Sequence, residues 1–162
     1  EPEALEEVIG GAIALILKRA PEQKIQVEMP EEVLMIPMDA RLMEQVFVNL
    51  LDNAVKHSEP SDQITITVEA PERESGIRIE VADRGEGISD ADLPNIFETF
   101  YTSSTRDADS KQGIGLGLAI CDTIIKAHGG SIRAENRADG KGAVFTLKIP
   151  VNKEEGSNGA LS

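Results

Sequence analysis

Apolar residues recur at helical spacing in three segments of the chain. The first segment predicts an amphipathic helix from Glu3 to about Arg19, which Pro21 ends. Its apolar face consists of Leu5, Val8, Ile9, Ala12, Ile13 and Ile16. The second segment predicts a helix that begins at Asp39, as N-cap, and runs to about His57. Its inward positions are Leu42, Val46, Phe47, Leu50, Leu51 and Ala54. The third helix is predicted from about Gly115 to Ala127.

Other segments alternate apolar and polar residues, which predicts half-buried β-strands. These strands cover residues 25–29, 34–36, 64–68, 77–81, 131–136 and 143–149. The connections Pro71–Gly76 and Asp139-Gly140 predict two hairpins, and Ser89 with Asp92 predicts a capped short helix to about Phe97. Together these elements predict a two-layer α/β (α+β) sandwich, a mixed β-sheet with helices packed on one face.

Two polar segments interrupt this pattern. Residues Tyr101–Gln112 contain almost no apolar anchor and predict a long mobile loop, of the kind that serves as a functional lid. Residues 152–162 predict a disordered tail. Residues 1–151 are therefore expected to form the one domain of this chain.

Composition and charge narrow the possible partners. The chain has 162 residues, 40% of them hydrophobic and 28% charged, which is typical of one globular domain. Its net charge of -13 argues against nucleic acid and anionic membrane surfaces as partners, so an anionic ligand would need backbone amides, a helix N-terminus or a divalent metal. The single cysteine, Cys121, cannot form an internal disulfide, which fits a reducing compartment such as the cytoplasm. The longest apolar run, Val8–Leu17, is too short to cross a bilayer, so the domain is expected to be soluble.

Three polar residues of the second helix lie in one stripe. Asn49, Asn53 and Lys56 stand at positions i, i+4 and i+7, at the border of the apolar face. Asparagine is a poor helix former and is costly to desolvate, so the pair suggests a shared ligand, such as Mg²⁺ with phosphate oxygens. The alternative is that both amides satisfy backbone groups of a crowded core, and the helix alone does not separate the two interpretations.

Asp83 continues the alternation of Ile77, Ile79 and Val81, which predicts that its side chain points into the core. A carboxylate there requires a donor. Because Gly85 and Gly87 follow and allow close approach of the backbone, an adenine ring with its exocyclic amine fits the pattern. The alternative is a tight turn, for which Asp and Gly are the usual residues.

Glycines alternate just before the third helix, at Gly113, Gly115 and Gly117. A helix N-terminus offers free amides, and glycine removes the Cβ that would block a phosphate. The pattern is neither a dinucleotide fingerprint, since Leu118 takes the third glycine's place, nor a P-loop, since no Lys-Ser or Lys-Thr follows. By itself the segment also fits a flexible helix start.

The order of these motifs resembles the histidine-kinase, Hsp90, gyrase and MutL superfamily, whose ATP-binding domains have the Bergerat fold. The matching segments are the N box at Asn49–His57, the G1 box at Asp83–Gly87, the F box at Phe97–Phe100, the G2 box at Gly113–Leu118, His128–Gly130, and Gly142–Leu147. The F box and His-Gly-Gly favour sensor histidine kinases. Within them, Leu5–Gly10 and Met38–Arg41 are similar to the potassium-responsive Kdp branch.

The resemblance implies a role for each site residue. Asp83 would bind the adenine amine with help from Thr146 through a water, beside Gly85 and Gly87. Asn53 would be the Mg²⁺ ligand and Asn49 would support it. The phosphates would be held by Gly113, Gly115, Leu116 and Gly117, with Lys111 and Lys56 as candidates to face the γ-phosphate. Asn53 and Lys111 would be the catalytic residues. His57 would line the pocket, unless it is a surface residue at the helix end.

The resemblance also implies ATP and Mg²⁺ as cofactors and two protein partners, a histidine acceptor domain of the parent protein and a response regulator. Neither His57 nor His128 stands in the sequence context of a phospho-acceptor, so the acceptor is expected outside this chain. The competing function is a stand-alone anti-sigma factor of the same superfamily with serine kinase activity.

Overall fold

The computed structural model describes residues 2–72, 76–98 and 116–150. The helices are α1 (Leu5–Arg19), α2 (Ala40–Lys56) and α3 (Leu116–Ala127), with a short 3₁₀ turn at Leu93–Asn95. The strands are β1 (Pro2–Ala4), β2 (Lys24–Glu28), β3 (Met35–Pro37), β4 (Gln63–Glu72), β5 (Gly76–Ala82), β6 (Ser131–Asn136) and β7 (Ala143–Ile149). The predicted lid at 101–112 and the tail at 152–162 lie outside the described residues.

The main sheet has the strand order β2-β4-β5-β7-β6. Strands β2 and β4 are parallel, and the other neighbours pair antiparallel, so the sheet is mixed. Its inward positions join the apolar faces of the three helices in one core. The fully buried residues with the largest side chains are Phe47, Leu5, Ile9, Ile16, Ile36, Met43, Leu50, Leu51, Ile64, Ile66, Ile79 and Ile125. This arrangement is the predicted two-layer α/β sandwich.

Helix α2 forms where the sequence predicts it. Asp39 is its N-cap, since its Oδ1 accepts a hydrogen bond from the Leu42 amide at 3.1 Å. The buried stripe begins at Met43 and ends at Ala54. The prediction that Leu42 points inward is wrong: its side chain is 40% exposed, because it lies one residue ahead of that stripe.

Two predicted helix boundaries also need correction. Glu3 belongs to strand β1, where it pairs with Ile36 of β3, so α1 begins only at Leu5. The short helix predicted after Ser89 is limited to the 3₁₀ turn at Leu93–Asn95 and does not reach Phe97. The Ser89 hydroxyl donates to Asp92 Oδ2 at 2.9 Å and accepts from the Asp92 amide at 3.2 Å, so these two residues close the turn that precedes Leu93–Asn95.

No helix in the described ranges is both long and apolar enough to cross a membrane.

Candidate functional site

Asp83 lies just beyond β5 and is 3% exposed, so the predicted inward direction is confirmed. Its Oδ1 accepts hydrogen bonds from the Gly85 amide at 2.9 Å and from the Ala143 amide at 3.1 Å. The Asp83 amide in turn donates to the Ala143 carbonyl at 3.0 Å. One carboxylate oxygen is thus held by two backbone donors, and no hydrogen bond links Oδ2 to the described part of the chain.

Gly85 lies where the loop after Asp83 meets the end of α2. A Cβ built on Gly85 would lie 1.7 Å from the His57 carbonyl oxygen, so no other residue fits without moving the backbone. On the same side, His57 Nδ1 lies 3.8 Å from Glu86 Oε2. The half-buried His57, the C-cap residue of α2, therefore borders the loop that carries Asp83.

The end of the same loop is held by Asn136, a residue that the sequence patterns did not single out. Its Oδ1 accepts from the Ile88 amide and its Nδ2 donates to the Ile88 carbonyl, both at 2.7 Å. Gly87 has a φ of +83°, and a Cβ there would lie 2.8 Å from Asn136 Oδ1. Asn136 is the last residue of β6, and the strand pattern alone carries no signal for this contact.

The turn between β6 and β7 reaches the loop by an ion pair as well. Arg84 Nη1 lies 3.2 Å from Asp139 Oδ2. The pKa of Asp139 lies below its ordinary value, mainly because the Lys141 amide donates to its carboxylate and then because of the neighbouring Arg137 and Arg84. Gly142, with a φ of +108°, packs against the Asp83 carbonyl, where a Cβ would lie 2.1 Å from the oxygen.

Asn49 connects α2 to the start of α3. Its Nδ2 donates to the Gly117 carbonyl at 3.3 Å. Cys121, one turn further along α3, is fully buried beside it and donates weakly to the Val46 carbonyl at 3.6 Å. Burial raises the pKa of the Cys121 thiol to about 12, although a hydrogen bond with Asn49 acts in the opposite direction. Asn49 thus satisfies a backbone group, as the structural alternative for this residue expects.

Asn53 and Lys56 differ from Asn49. The half-buried Asn53 side chain makes no hydrogen bond with the described residues, although it lies on the same stripe of α2. Lys56 Nζ lies 3.1 Å from Asp52 Oδ2, one turn before it. The amide of Asn53 is therefore available to a ligand, whereas Lys56 is engaged in an exposed ion pair.

The position of Thr146 contradicts its predicted role beside Asp83. Thr146 pairs with Glu80 of β5, while Val81, which shares its sheet face with Asp83, pairs with Phe145. Side chains alternate between the two faces of a sheet, so Thr146 lies on the face opposite to Asp83. The β7 residue next to Asp83 is Ala143, whose amide contacts the carboxylate.

The glycine-rich segment is only partly described. Lys111, Gly113 and Gly115 lie outside the described residues. Leu116 is the first residue of α3, close to the predicted start, and Gly117 contacts Asn49. The fold therefore brings one face of α2 between two predicted motifs: the loop 83–88 at its C-terminal end and the first turn of α3 at Asn49.

A known family covers most of the chain. Residues 38–153 match the model of the family described as "Histidine kinase-, DNA gyrase B-, and HSP90-like ATPase". The matched range contains the Asn stripe, the Asp83 loop and the β6–β7 hairpin. The chain therefore belongs to this ATPase family.

Within the family, the chain is similar to sensor proteins. It is 45% identical over 148 residues to the sensor protein KdpD of Clostridium acetobutylicum, which is 91% of this chain and 16% of that protein. The chain thus spans about a sixth of that relative's length. The likeness to KdpD confirms the resemblance to the Kdp branch.

Two solved structures have the same fold. The catalytic domain of the histidine kinase ThkA matches with a TM-score of 0.80 and 32% identity, covering 96% of this chain and 97% of that one. A mycobacterial sensor histidine kinase, MprB, matches with a TM-score of 0.83 and 25% identity, covering 93% and 98%. A further structure contains ThkA together with the response regulator TrrA. These likenesses favour the sensor-kinase branch over the anti-sigma alternative.

Proposed function

We propose that this chain is the ATP-binding catalytic domain of a sensor histidine kinase and that it donates the γ-phosphoryl group of ATP to a histidine on a separate acceptor domain. The observation that carries the proposal is the Asp83 carboxylate, which is 3% exposed and uses Oδ1 for two backbone amides. The second oxygen, Oδ2, has no hydrogen-bond partner in the described part of the chain and keeps some solvent access, so a ligand can supply its donor.

Adenine suits this oxygen because its exocyclic amine is a hydrogen-bond donor. Guanine has a carbonyl oxygen at the corresponding ring position. This oxygen and the carboxylate oxygen are both acceptors, so no hydrogen bond could form between them. A buried acceptor left without a donor costs about 1–3 kcal/mol, so the site is expected to prefer ATP and ADP over GTP.

Asn53 is our candidate for the Mg²⁺ ligand. Its amide oxygen is a hard donor, and its side chain is half-buried without a hydrogen bond to the described residues. Mg²⁺ commonly takes one or two protein oxygens and completes its shell with phosphates and water. When bound with ATP, Mg²⁺ would neutralise charge on the phosphate oxygens. Asn49 would support this position from α2, since its own amide is fixed on Gly117.

The remaining phosphate contacts are assigned by resemblance. Gly113, Gly115, Leu116 and Gly117 would surround the phosphates at the start of α3, where backbone amides and the helix dipole favour anions. Lys111 is our candidate for the γ-phosphate, and Lys56 could join it only by leaving Asp52. Phosphoryl transfer requires mainly positioning and charge neutralisation, which these groups can supply.

We expect the acceptor histidine on a separate domain, because neither histidine of this chain stands in the sequence context of a phospho-acceptor, and both have contacts within the fold. His128 Nε2 accepts from the Asp39 amide at 3.1 Å, and its Nδ1 lies 2.8 Å from the Ile124 carbonyl. His57 lies against Glu86. In the transfer, an imidazole nitrogen of the acceptor forms a bond to the γ-phosphorus, the bond to the β–γ bridging oxygen breaks, and ADP leaves.

The parent protein would then pass the phosphoryl group to a response regulator. The ThkA–TrrA complex shows such a pairing for ThkA, which supports the same class of partner here. The similarity to KdpD supports potassium-responsive signalling by the parent protein. A cytoplasmic location of the domain is consistent with a supply of ATP.

Radiolabelled ATP tests the proposal. The chain alone should stay unlabelled, and it should label a separate fragment that contains the two-helix acceptor hairpin of the parent protein. The rate should be low, because an encounter in solution replaces the tethered geometry. The product should be acid-labile, as phosphohistidine is. Acid-resistant phosphate on serine, or labelling of His57 or His128, would overturn the proposal.

A further inference from the structure

Asn136 contacts the loop of residues 83–88, which we call the adenine loop, without lying in any of the motifs that define the site. Its side-chain amide forms two hydrogen bonds of 2.7 Å with one peptide position, Ile88, as donor and as acceptor. Such a pair reproduces the contacts of a neighbouring β-strand and fixes the backbone of Ile88 in position and in direction.

The two ends of the adenine loop are both attached to the β6–β7 hairpin. At its start, Asp83 exchanges hydrogen bonds with Ala143 at 3.0 and 3.1 Å, and at its end Ile88 is held by Asn136. Between them lie Gly85 and Gly87, and glycine is the residue with the most conformational freedom to lose. Without Asn136, only the start of the loop would remain attached to the hairpin.

We propose that Asn136 is a positioning residue for nucleotide binding, which preorganises the adenine loop by holding Ile88. The inference rests on the proposed function, because it assumes that Asp83 and this loop contact adenine. Order that exists before binding does not have to be established by the ligand, so it strengthens affinity without a direct contact. Asn136 acts through the backbone and touches no reacting atom.

The effect should have a particular signature. Removing two hydrogen bonds at an exposed site should weaken ATP binding about three- to tenfold in Asn136→Ala. ATP and ADP should lose the same factor, because the loop lies at the adenine end and not at the γ-phosphate. A purely structural role would instead lower the melting temperature and leave the affinity of the folded protein unchanged.

The chain offers a matched control in the Arg84–Asp139 ion pair. This pair also joins the adenine loop to the β6–β7 turn, at 3.2 Å, but both side chains are about half exposed. Exposed ion pairs contribute little, and the side-chain oxygen of Asp139→Asn can still accept from the Lys141 amide, so this variant should leave nucleotide affinity nearly unchanged. Asp139→Asn therefore separates the loss of the ion pair between the loop and the hairpin turn from the specific effect of Asn136.

The test measures ATP and ADP binding by calorimetry for the unaltered chain, Asn136→Ala, Asp139→Asn and Asp83→Asn, with hydrogen exchange at the Ile88 amide. We expect Asn136→Ala to lose the same factor in affinity for ATP and for ADP. Exchange at the Ile88 amide should be faster in Asn136→Ala than in the unaltered chain, and unchanged in the Asp139 variant. If Asn136→Ala binds like the unaltered chain while Asp83→Asn fails, the positioning role is wrong and the proposed function stands. If the unaltered chain binds neither nucleotide, the proposed function fails and the positioning role with it.

Discussion

The two ends of the candidate site are built differently. At the proposed adenine end, Asp83 and the loop that follows it are held by the backbone of Ala143 in β7, by Asn136 and by the close contact of Gly85 with His57. At the proposed metal end, the Asn53 amide lies on α2 without a hydrogen bond to the described residues. The end at Asp83 is held by hydrogen bonds and contacts within the protein, whereas the end at Asn53 offers a polar side chain to a ligand.

This difference assigns different tasks to the two ends. A preformed set of contacts around Asp83 favours recognition of one base, because a ligand that mismatches it leaves buried groups unpaired. A single amide at Asn53 is suited to a cation that brings phosphates and water as its other ligands. Asn49, one turn before Asn53, belongs to the connected part, since it binds the Gly117 carbonyl.

The largest effect is expected from filling the contact between the adenine loop and α2. In Gly85→Ala, the new Cβ would lie 1.7 Å from the His57 carbonyl oxygen, which is backbone and cannot rotate away. We expect a loss of about 1–3 kcal/mol in the free energy of unfolding and loss of nucleotide binding, measured by denaturation and calorimetry.

The control is Gly10→Ala on α1, where a Cβ meets nothing within 4 Å and should stabilise the helix by up to about 1 kcal/mol. Normal ATP binding in Gly85→Ala would show that the close contact does not position the loop.

A smaller effect should separate the two asparagines. Asn53→Ala should weaken ATP binding about tenfold in the presence of Mg²⁺, the equivalent of about 1.4 kcal/mol, and leave it unchanged in EDTA. Its melting temperature should stay the same, because no described contact is lost. Asn49→Ala should instead lower the melting temperature, since it frees the Gly117 carbonyl. Unfolding of Asn53→Ala with normal Mg-ATP affinity would assign Asn53 to the core.

The smallest effect on stability at neutral pH is expected at Cys121, in the contact between α2 and α3. Burial raises the pKa of Cys121 from 9.0 to about 12, so the folded state favours the protonated thiol. Its contribution to stability is complete below pH 9 and is lost as the pH rises from 9 to about 12, by up to about 1.4 kcal/mol per pH unit. Denaturation at pH 8 and pH 10.5 should show a steeper loss for the unaltered chain than for Cys121→Ala. Equal slopes would mean that the thiol is accessible to water in the folded state.

Much of the fold follows from the sequence because apolar periodicity reports burial. The stripe of α2, the hairpins and the inward phase of Asp83 all depend on which face of an element meets the core. The wrong predictions concern positions whose secondary structure depends on tertiary contacts. Glu3 joins a strand because β3 lies beside it, and Ser89 with Asp92 closes a turn that leads only into one 3₁₀ turn.

The site shows the same division. The sequence indicates Asp83, Asn49 and Gly85 because each is an unusual residue type for its position in a helix or at the end of a strand. Thr146 was predicted beside Asp83, but strand register places it on the other sheet face, and register is not encoded in a single strand. Asn136 was missed because its contact with Ile88 spans 48 positions and depends on how the β6–β7 hairpin meets the loop.

The most direct test of the account is nucleotide binding by Asp83→Asn, measured by titration calorimetry with ATP, ADP and GTP. The substitution can keep an oxygen for the Gly85 and Ala143 amides and puts an NH₂ donor where the account requires an acceptor. The unaltered chain should prefer ATP and ADP over GTP, and Asp83→Asn should lose about 2 kcal/mol or more, about thirtyfold in affinity. Asp139→Asn, in an exposed ion pair, should bind normally. Unchanged adenine affinity in a folded Asp83→Asn would contradict the assignment of this carboxylate to the adenine amine.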